Sequence, residues 1–174
     1  MAEVLIALGT NVGDRLENLR TAVRRLAEEF GQVEPSAIYE TAPMYVVHQP
    51  PFLNAAVKVE SSIGPMAVLT RLKALEKEIG RQQRERCGPR EIDLDLIAYG
   101  ALCYRYQDKD RTLLQVPHPR LAERRFVLQP LADVAPNFHL PGLGVVSALL
   151  KQTEHQADSV KKSDHALLPI QRQE

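Results

Sequence analysis

The chain has 174 residues, 44% apolar and 25% charged, with 22 Lys+Arg against 22 Asp+Glu. That composition fits one globular domain with a core of its own. Balanced charge leaves no electrostatic footprint for nucleic acid or an anionic membrane, and no apolar run is long enough to span a bilayer. Met1-Ala2-Glu3 lacks the basic start and cleavage motif of a secretory signal. Cys87 and Cys103 form no C-x-x-C or metal-type array, so a reducing, cytoplasmic setting is expected.

Residues 4–8 are a short apolar run that reads as a buried strand. Gly9-Thr10-Asn11-Val12-Gly13 follows as a loop, but it matches neither phosphate-loop glycine pattern. Asp14 is an expected N-cap, with Glu17 three residues on. Leu16, Leu19, Val23, Leu26, Ala27 and Phe30 then run at helical spacing to Gly31. Residues 33–40 read as a second strand despite Pro35, and residues 41–51 as a long Pro-rich loop. Residues 52–60 are a third strand with Asn54 in an apolar setting. A buried Asn needs partners: a neighbouring backbone, the usual case, or the donor–acceptor edge of a heterocycle.

Pro65 opens a second helix whose apolar stripe is Met66, Leu69, Leu72, Leu75 and Ile79, ended by Gly80. Next comes an arginine-rich loop with Arg81, Arg84, Arg86 and Arg90, then Ile92-Asp93-Leu94-Asp95-Leu96. Strand alternation points the apolar residues one way and both carboxylates the other, roughly 6.6 Å apart. Their repulsion at that distance is about 0.6 kcal/mol in water and about 2.5 kcal/mol at an effective dielectric of 20. On spacing alone, a solvated strand face is the commoner explanation by about two to one. Paired carboxylates in a cleft call for a hard divalent cation such as Mg²⁺ completed by substrate phosphates, and guanidinium groups beside the pair favour those phosphate oxygens. They could also simply neutralise Glu78, Glu85 and Glu91.

Residues 103–110 read as a polar excursion, 113–116 as a short strand, and Pro117-His118-Pro119 as a rigid turn. Residues 120–135 form one or two short helices and 145–151 a last helical turn or two. Beyond that the chain is polar and weakly periodic and reads as a mobile tail, with 167–170 able to dock back on the body. The order strand, helix, strand, strand, helix, strand is that of an α+β, ferredoxin-like antiparallel sheet. Helices would cover one face and the C-terminal helical pieces part of the other, a three-layer tendency.

Five segments now stand together in order: Ala7-Leu8-Gly9-Thr10-Asn11, Tyr39-Glu40-Thr41-Ala42-Pro43, Gln49-Pro50-Pro51-Phe52-Leu53-Asn54-Ala55, Gly88-Pro89-Arg90-Glu91-Ile92-Asp93-Leu94-Asp95 and Val116-Pro117-His118-Pro119-Arg120. Over residues 4–144 the chain closely resembles the 6-hydroxymethyl-7,8-dihydropterin pyrophosphokinase family of folate biosynthesis. The resemblance implies a ferredoxin-like fold and transfer of diphosphate from ATP to the pterin hydroxymethyl group, releasing AMP. It implies that Asp93 and Asp95 hold two Mg²⁺ ions and that Arg81 and Arg90 contact the triphosphate and act in catalysis. Glu76, Leu96 (through its backbone), His118 and Arg124 match nucleotide-side positions, and Leu113 and Gln115 adenine-side backbone positions. Thr41, Ala42, Met44, Phe52, Asn54 and Phe126 match the pterin pocket. Cys87 stands where many relatives carry an aromatic, and Pro119 where some have Tyr. The implied layout is a catalytic domain over 1–151 and a polar tail over 152–174. A monomer acting on ATP and the pterin is expected, with no nucleic-acid or membrane partner. The competing expectations are a Mg²⁺-dependent phosphoester hydrolase using the same D-x-D, and a non-enzymatic ligand-binding module.

Overall fold

The structure, a computed structural model, describes residues 1–43, 48–84 and 87–167. The first half runs β1 (Ala2–Thr10), α1 (Arg15–Phe30), β2 (Val33–Pro35), β3 (Tyr39–Thr41), β4 (Phe52–Ser61), α2 (Pro65–Glu78) and β5 (Asp93–Tyr99). The second runs β6 (Tyr104–Asp108), β7 (Arg111–Val116), α3 (Arg125–Val134), β8 (His139–Leu140), β9 (Gly144–Val145), α4 (Val146–Gln152) and β10 (Val160–Lys162). Among the described residues the main antiparallel sheet has the order β10-β3-β4-β1-β5, with β2 also paired to β4. This is the ferredoxin-like α+β arrangement, extended by β10.

Helix α1 starts as expected: the Asp14 carboxylate accepts from the Glu17 amide at 3.0 Å. It stops at Gly31, whose φ of 82° suits glycine. Strand alternation then divides β1 between two cores. Val4, Ile6 and Leu8 pack under α1 and α2 with Leu19, Leu26, Leu72, Leu75, Leu94 and Leu96. Leu5 faces the opposite layer with Ile97, Ala98, Leu128, Leu131 and Leu149. A register shift opposite Leu5 and Ile6 leaves Ile97 as an extra residue on β5. That bulge lets Ile97 and Ala98 both face the α3 side. The α3–α4 layer covers the Leu5 end of that face and packs against Ala56 and part of Ala7. Further along, at Ala7 and Gly9, the sheet is left open as a hollow.

Three expectations need correction. The strand expected over 33–40 is two short strands with one residue looped out between the registers Pro35↔Val57 and Tyr39↔Asn54. Ser36 makes the break: its hydroxyl accepts the Ala56 amide at 2.8 Å, where a regular ladder would use backbone. The polar excursion over 103–110 is the first arm of the β6–β7 hairpin. Its side chains are largely exposed, so no apolar alternation marks it. The tail expected from 152 is ordered over its first part. Glu154–Ser159 is a 3₁₀ turn, and Val160–Lys162 pairs with Thr41, Glu40 and Tyr39.

Helix α3 is pinned from both ends. The Tyr39 hydroxyl donates to the Asp133 carboxylate at 2.9 Å. Burial, reinforced by that carboxylate, pushes Tyr39 up to about 12, so the hydroxyl stays a donor. Arg125 is 8% exposed and donates to the Leu150 carbonyl at 3.1 Å and the Gln129 amide oxygen at 3.1 Å. These bonds fix the start of α3, which carries Phe126.

Candidate active site

Two rungs of the central ladder make the floor. One joins Asn54, Gly9 and Asp93 across β4, β1 and β5; the next joins Ala56, Ala7 and Asp95. The middle strand contributes no side chain larger than a methyl group there, so a cavity of about 250 Å³ opens. Its walls include Thr41, Ala42, Phe52 and Asn54 on one side and Arg90, Asp93 and Asp95 on the other, with Arg124 and Phe126 at the rim. A Cβ on Gly9 would lie 3.6 Å from the Asn54 amide oxygen. A methyl group fits there, while any longer side chain would fill the cavity.

On the first side, Asn54 is 6% exposed and donates its amide to the Thr41 hydroxyl at 2.8 Å. That bond fixes the orientation of the amide. The Arg124 guanidinium lies 5.8 Å from the centre of the Phe126 ring. Apolar walls beside an oriented amide suit a flat heterocycle with a polar rim. Met44 lies outside the described residues.

On the second side the charges interlock. Glu76, 3% exposed, accepts from Lys73 at 2.7 Å, from the Leu94 amide at 2.7 Å, and from Arg81. Arg81 also donates to one Asp93 oxygen at 2.8 Å, and Arg90 to the other at 2.6 Å. Burial would raise Asp93, but Lys73, Arg90 and Arg81 outweigh it and hold the carboxyl below its usual range. Burial of the Arg81 guanidinium works against its charge. Asp93 and Glu76 more than restore it, so Arg81 is held above its ordinary value.

Asp95 goes the other way. Burial and the adjacent Asp93 charge push it up to about 6. Among the described residues its one ion pair is with Lys73 at 3.8 Å. An under-compensated carboxylate beside an ionised one is a donor set that a divalent cation would relieve. No group of three or more His, Cys, Asp or Glu side chains among the described residues could hold a metal by itself. Two carboxylates therefore fit an ion whose remaining oxygens come from elsewhere, as Mg²⁺ on a polyphosphate has.

A pH prediction follows from Asp95. Its folded carboxyl titrates near 6 against an ordinary 3.8. The ionised form therefore opposes folding at neutral pH; that opposition fades as pH falls through 6 and is gone below 3.8. Metal-free Asp95→Asn should melt above wild type at pH 7.5, with the margin closing near pH 4. The gain is modest because the side chain is 43% exposed toward the cavity, where water screens it. Thermal melts in chelator across that range check it.

Not every expected site residue reaches the cavity wall. Glu76 and Arg81 stand behind Asp93. His118 is tied through its amide to the Ile97 carbonyl at 2.9 Å. Burial, then Arg124, lowers its ring to about 4, so it is neutral at pH 7. Its Nδ1 accepts the Arg120 amide at 3.3 Å, leaving the proton on Nε2. Leu96 is 3% exposed in the core and could offer only backbone. Leu113 and Gln115 lie on β7, beside β5 and away from the cavity wall. Arg84 turns instead to Glu91 at 2.6 Å, the neutralising role weighed above for these arginines.

Sequence reasoning missed three residues. Asn11 is 1% exposed and ties both flanking loops together. It donates to the Gln49 side chain at 2.9 Å and the Pro50 carbonyl at 3.0 Å, and accepts the Arg90 amide at 2.8 Å. Gln49 in turn donates to the Cys87 carbonyl at 3.2 Å. Lys73 gave one visible signal, its i,i+3 spacing from Glu76.

A ferredoxin-like sheet that sets an oriented amide and paired carboxylates on one exposed face defines a small-ligand-binding α+β domain with an arginine-flanked anionic centre. Residues 5–136 match the family model described as 7,8-dihydro-6-hydroxymethylpterin-pyrophosphokinase (HPPK). The chain belongs to that family. It is 41% identical over 138 residues to the 2-amino-4-hydroxy-6-hydroxymethyldihydropteridine pyrophosphokinase of Aquifex aeolicus, covering 79% of this chain and 82% of that one. It is also 46% identical over 133 residues to the mitochondrial folate synthesis bifunctional protein of Pisum sativum. That match covers 76% of this chain but 25% of the pea protein, so the chain spans about a quarter of that relative's length. Among solved structures, a Plasmodium falciparum HPPK-DHPS triple mutant superposes with a TM-score of 0.76 at 15% identity, over 92% of this chain and 46% of that one. At that identity the likeness bears on the fold. No helix among the described residues is long and apolar enough to cross a membrane.

Proposed function

We propose that the chain transfers diphosphate from ATP to the hydroxymethyl group of 6-hydroxymethyl-7,8-dihydropterin, releasing AMP. One observation carries this reading: Asn54 and Asp93 share a rung of the sheet, with only Gly9 between them. A ring bound at Asn54 is thereby brought next to the carboxylates. Asn54 would hold the rim of the pterin, with Phe52 and Phe126 enclosing its faces and Thr41 and Ala42 closing the wall. Asp93 and Asp95 would hold Mg²⁺, two ions being expected, which when bound neutralises phosphate charge and orients an in-line attack. The hydroxymethyl oxygen would then bond to the β-phosphorus while its proton passes to a phosphate oxygen or to water, the bridge to the α-phosphate would break, and AMP would leave with the bridging oxygen. Arg81 and Arg90, which pair with Asp93 here, would turn from it to meet charge on the triphosphate. Neutral His118 would donate from Nε2 to a phosphate oxygen, with Arg124 beside it. Backbone groups at Leu96, Leu113 and Gln115 would serve the adenine side. The work asked of the protein is positioning and electrostatics. The reading includes a cytoplasmic monomer, in keeping with the free thiols of Cys87 and Cys103.

The test is AMP formation that requires both ATP and the pterin. ADP release, or nucleotide hydrolysis without pterin, would reject the proposal, the latter in favour of the hydrolase. Asn54→Leu should lower kcat/KM for the pterin roughly ten- to 100-fold, the cost of one lost buried hydrogen-bonding partner. The KM for ATP should stay close to wild type. An equal loss for both substrates would show that Asn54 does not face the ring.

A further inference from the structure

Lys73 lies on α2, outside the expected site, yet it meets all three carboxylates of the anionic centre. Its ammonium is 2.7 Å from Glu76, 3.9 Å from Asp93 and 3.8 Å from Asp95. Arg81 reaches two of the three, and Arg90 one. Lys73 spends its hydrogen bonds on Glu76 and on the Leu94 carbonyl at 3.0 Å. It is thus held nearly equidistant from both aspartates, at ion-pair rather than hydrogen-bond range. The Asp95 oxygens are screened without being capped. Lys73, Arg81 and Arg90 also balance Glu76, Asp93 and Asp95 charge for charge.

We propose that Lys73 is a positioning residue that acts as the resident counter-ion of the Asp93–Asp95 pair, keeping it from taking up a divalent ion until a nucleotide supplies further oxygen ligands. A tethered ammonium is a compact point charge suited to this. It repels a divalent cation directly, while a polyphosphate arriving with its ion reverses the balance. The consequence is that the nucleotide-free protein binds metal weakly, and metal and nucleotide bind with strong mutual dependence.

This inference rests on the metal role proposed above for the two aspartates, and the experiment separates the two. The full nucleotide-free chain is titrated with Mn²⁺ and the free aquo-ion is followed by electron paramagnetic resonance. Lys73→Gln, which keeps a donor for Glu76, and Lys73→Met should each bind Mn²⁺ at least about tenfold more tightly than wild type, because a charge within ion-pair range has gone. Lys73→Arg, which keeps the charge, should stay within about threefold of wild type. With a non-hydrolysable ATP analogue present, the gap between wild type and Lys73→Gln should narrow. Folding of each variant is checked by circular dichroism, and Lys73→Gln carries the test if Lys73→Met does not fold. Unchanged or weaker Mn²⁺ binding by folded Lys73→Gln would overturn the assignment of Lys73. Mn²⁺ binding with the analogue that survives Asp95→Asn undiminished would instead overturn the metal role of the pair.

Discussion

Asp95→Ala should reduce kcat by about 10³-fold or more, the scale seen when one preorganised electrostatic contact to the reacting group is lost. AMP release in saturating ATP, pterin and Mg²⁺ is the measurement. Asp95 has the least internal compensation of the three carboxylates. Asp93 is gripped by two guanidinium groups at 2.8 and 2.6 Å, whereas Asp95 has Lys73 at 3.8 Å as its ion-pair partner among the described residues. A side chain so placed contributes little to folding, and its loss relieves repulsion with Asp93 and Glu76. The variant should therefore melt at or above the wild-type temperature without ligands. Activity near wild type would remove Asp95 from the chemistry. Inactivity with a lowered melting temperature would make its role structural.

Glu76→Ala should have the largest effect on stability, a loss of about 3 kcal/mol or more, as for breaking one partner of a buried ion pair. Its carboxylate ties three elements: Lys73 on its own helix, the Leu94 amide on β5 and Arg81 beyond the helix end. Removing it leaves the buried Leu94 amide without an acceptor and takes from Lys73 and Arg81 one carboxylate partner each. For a chain of this size the melting temperature should fall by roughly 6–12 °C. Urea denaturation should show a lower midpoint with an unchanged slope. Turnover should fall too, because Arg81 loses the contact that aims it at Asp93. A shift of under about 0.5 kcal/mol, usual for exposed positions, would mean the bonds are replaced by solvent.

The parts of the site legible in the sequence are those that follow strand periodicity. Alternation put Asp93 and Asp95 on one face, and an Asn within an apolar run marked position 54. What alternation cannot give is register between strands. The rung joining Asn54, Gly9 and Asp93 depends on two pairings that only the folded sheet fixes. The expected helices formed because their caps and apolar stripes are local signals, as at Asp14 and Gly31. The second arm of the β6–β7 hairpin is legible as a short strand over 113–116, where Leu114 and Val116 are buried alternately, whereas its solvated first arm shows no apolar alternation. Val160–Lys162 escaped notice because its partner, Tyr39–Thr41, lies far away in sequence. Lys73 and Asn11 act through contacts whose value depends on what lies opposite, which composition and spacing do not encode.

The pairing of Val160–Lys162 with Thr41, Glu40 and Tyr39 also bears on association between molecules. Without this final ribbon, the outer backbone groups of residues 39–41 would stand as an open template, able to recruit the same stretch of another molecule. Val160-Lys161-Lys162 fills that place and adds two exposed ammonium groups, a charge pattern that discourages further growth of the sheet. The C-terminal segment thus guards against aggregation while shielding the wall from which Thr41 reaches Asn54.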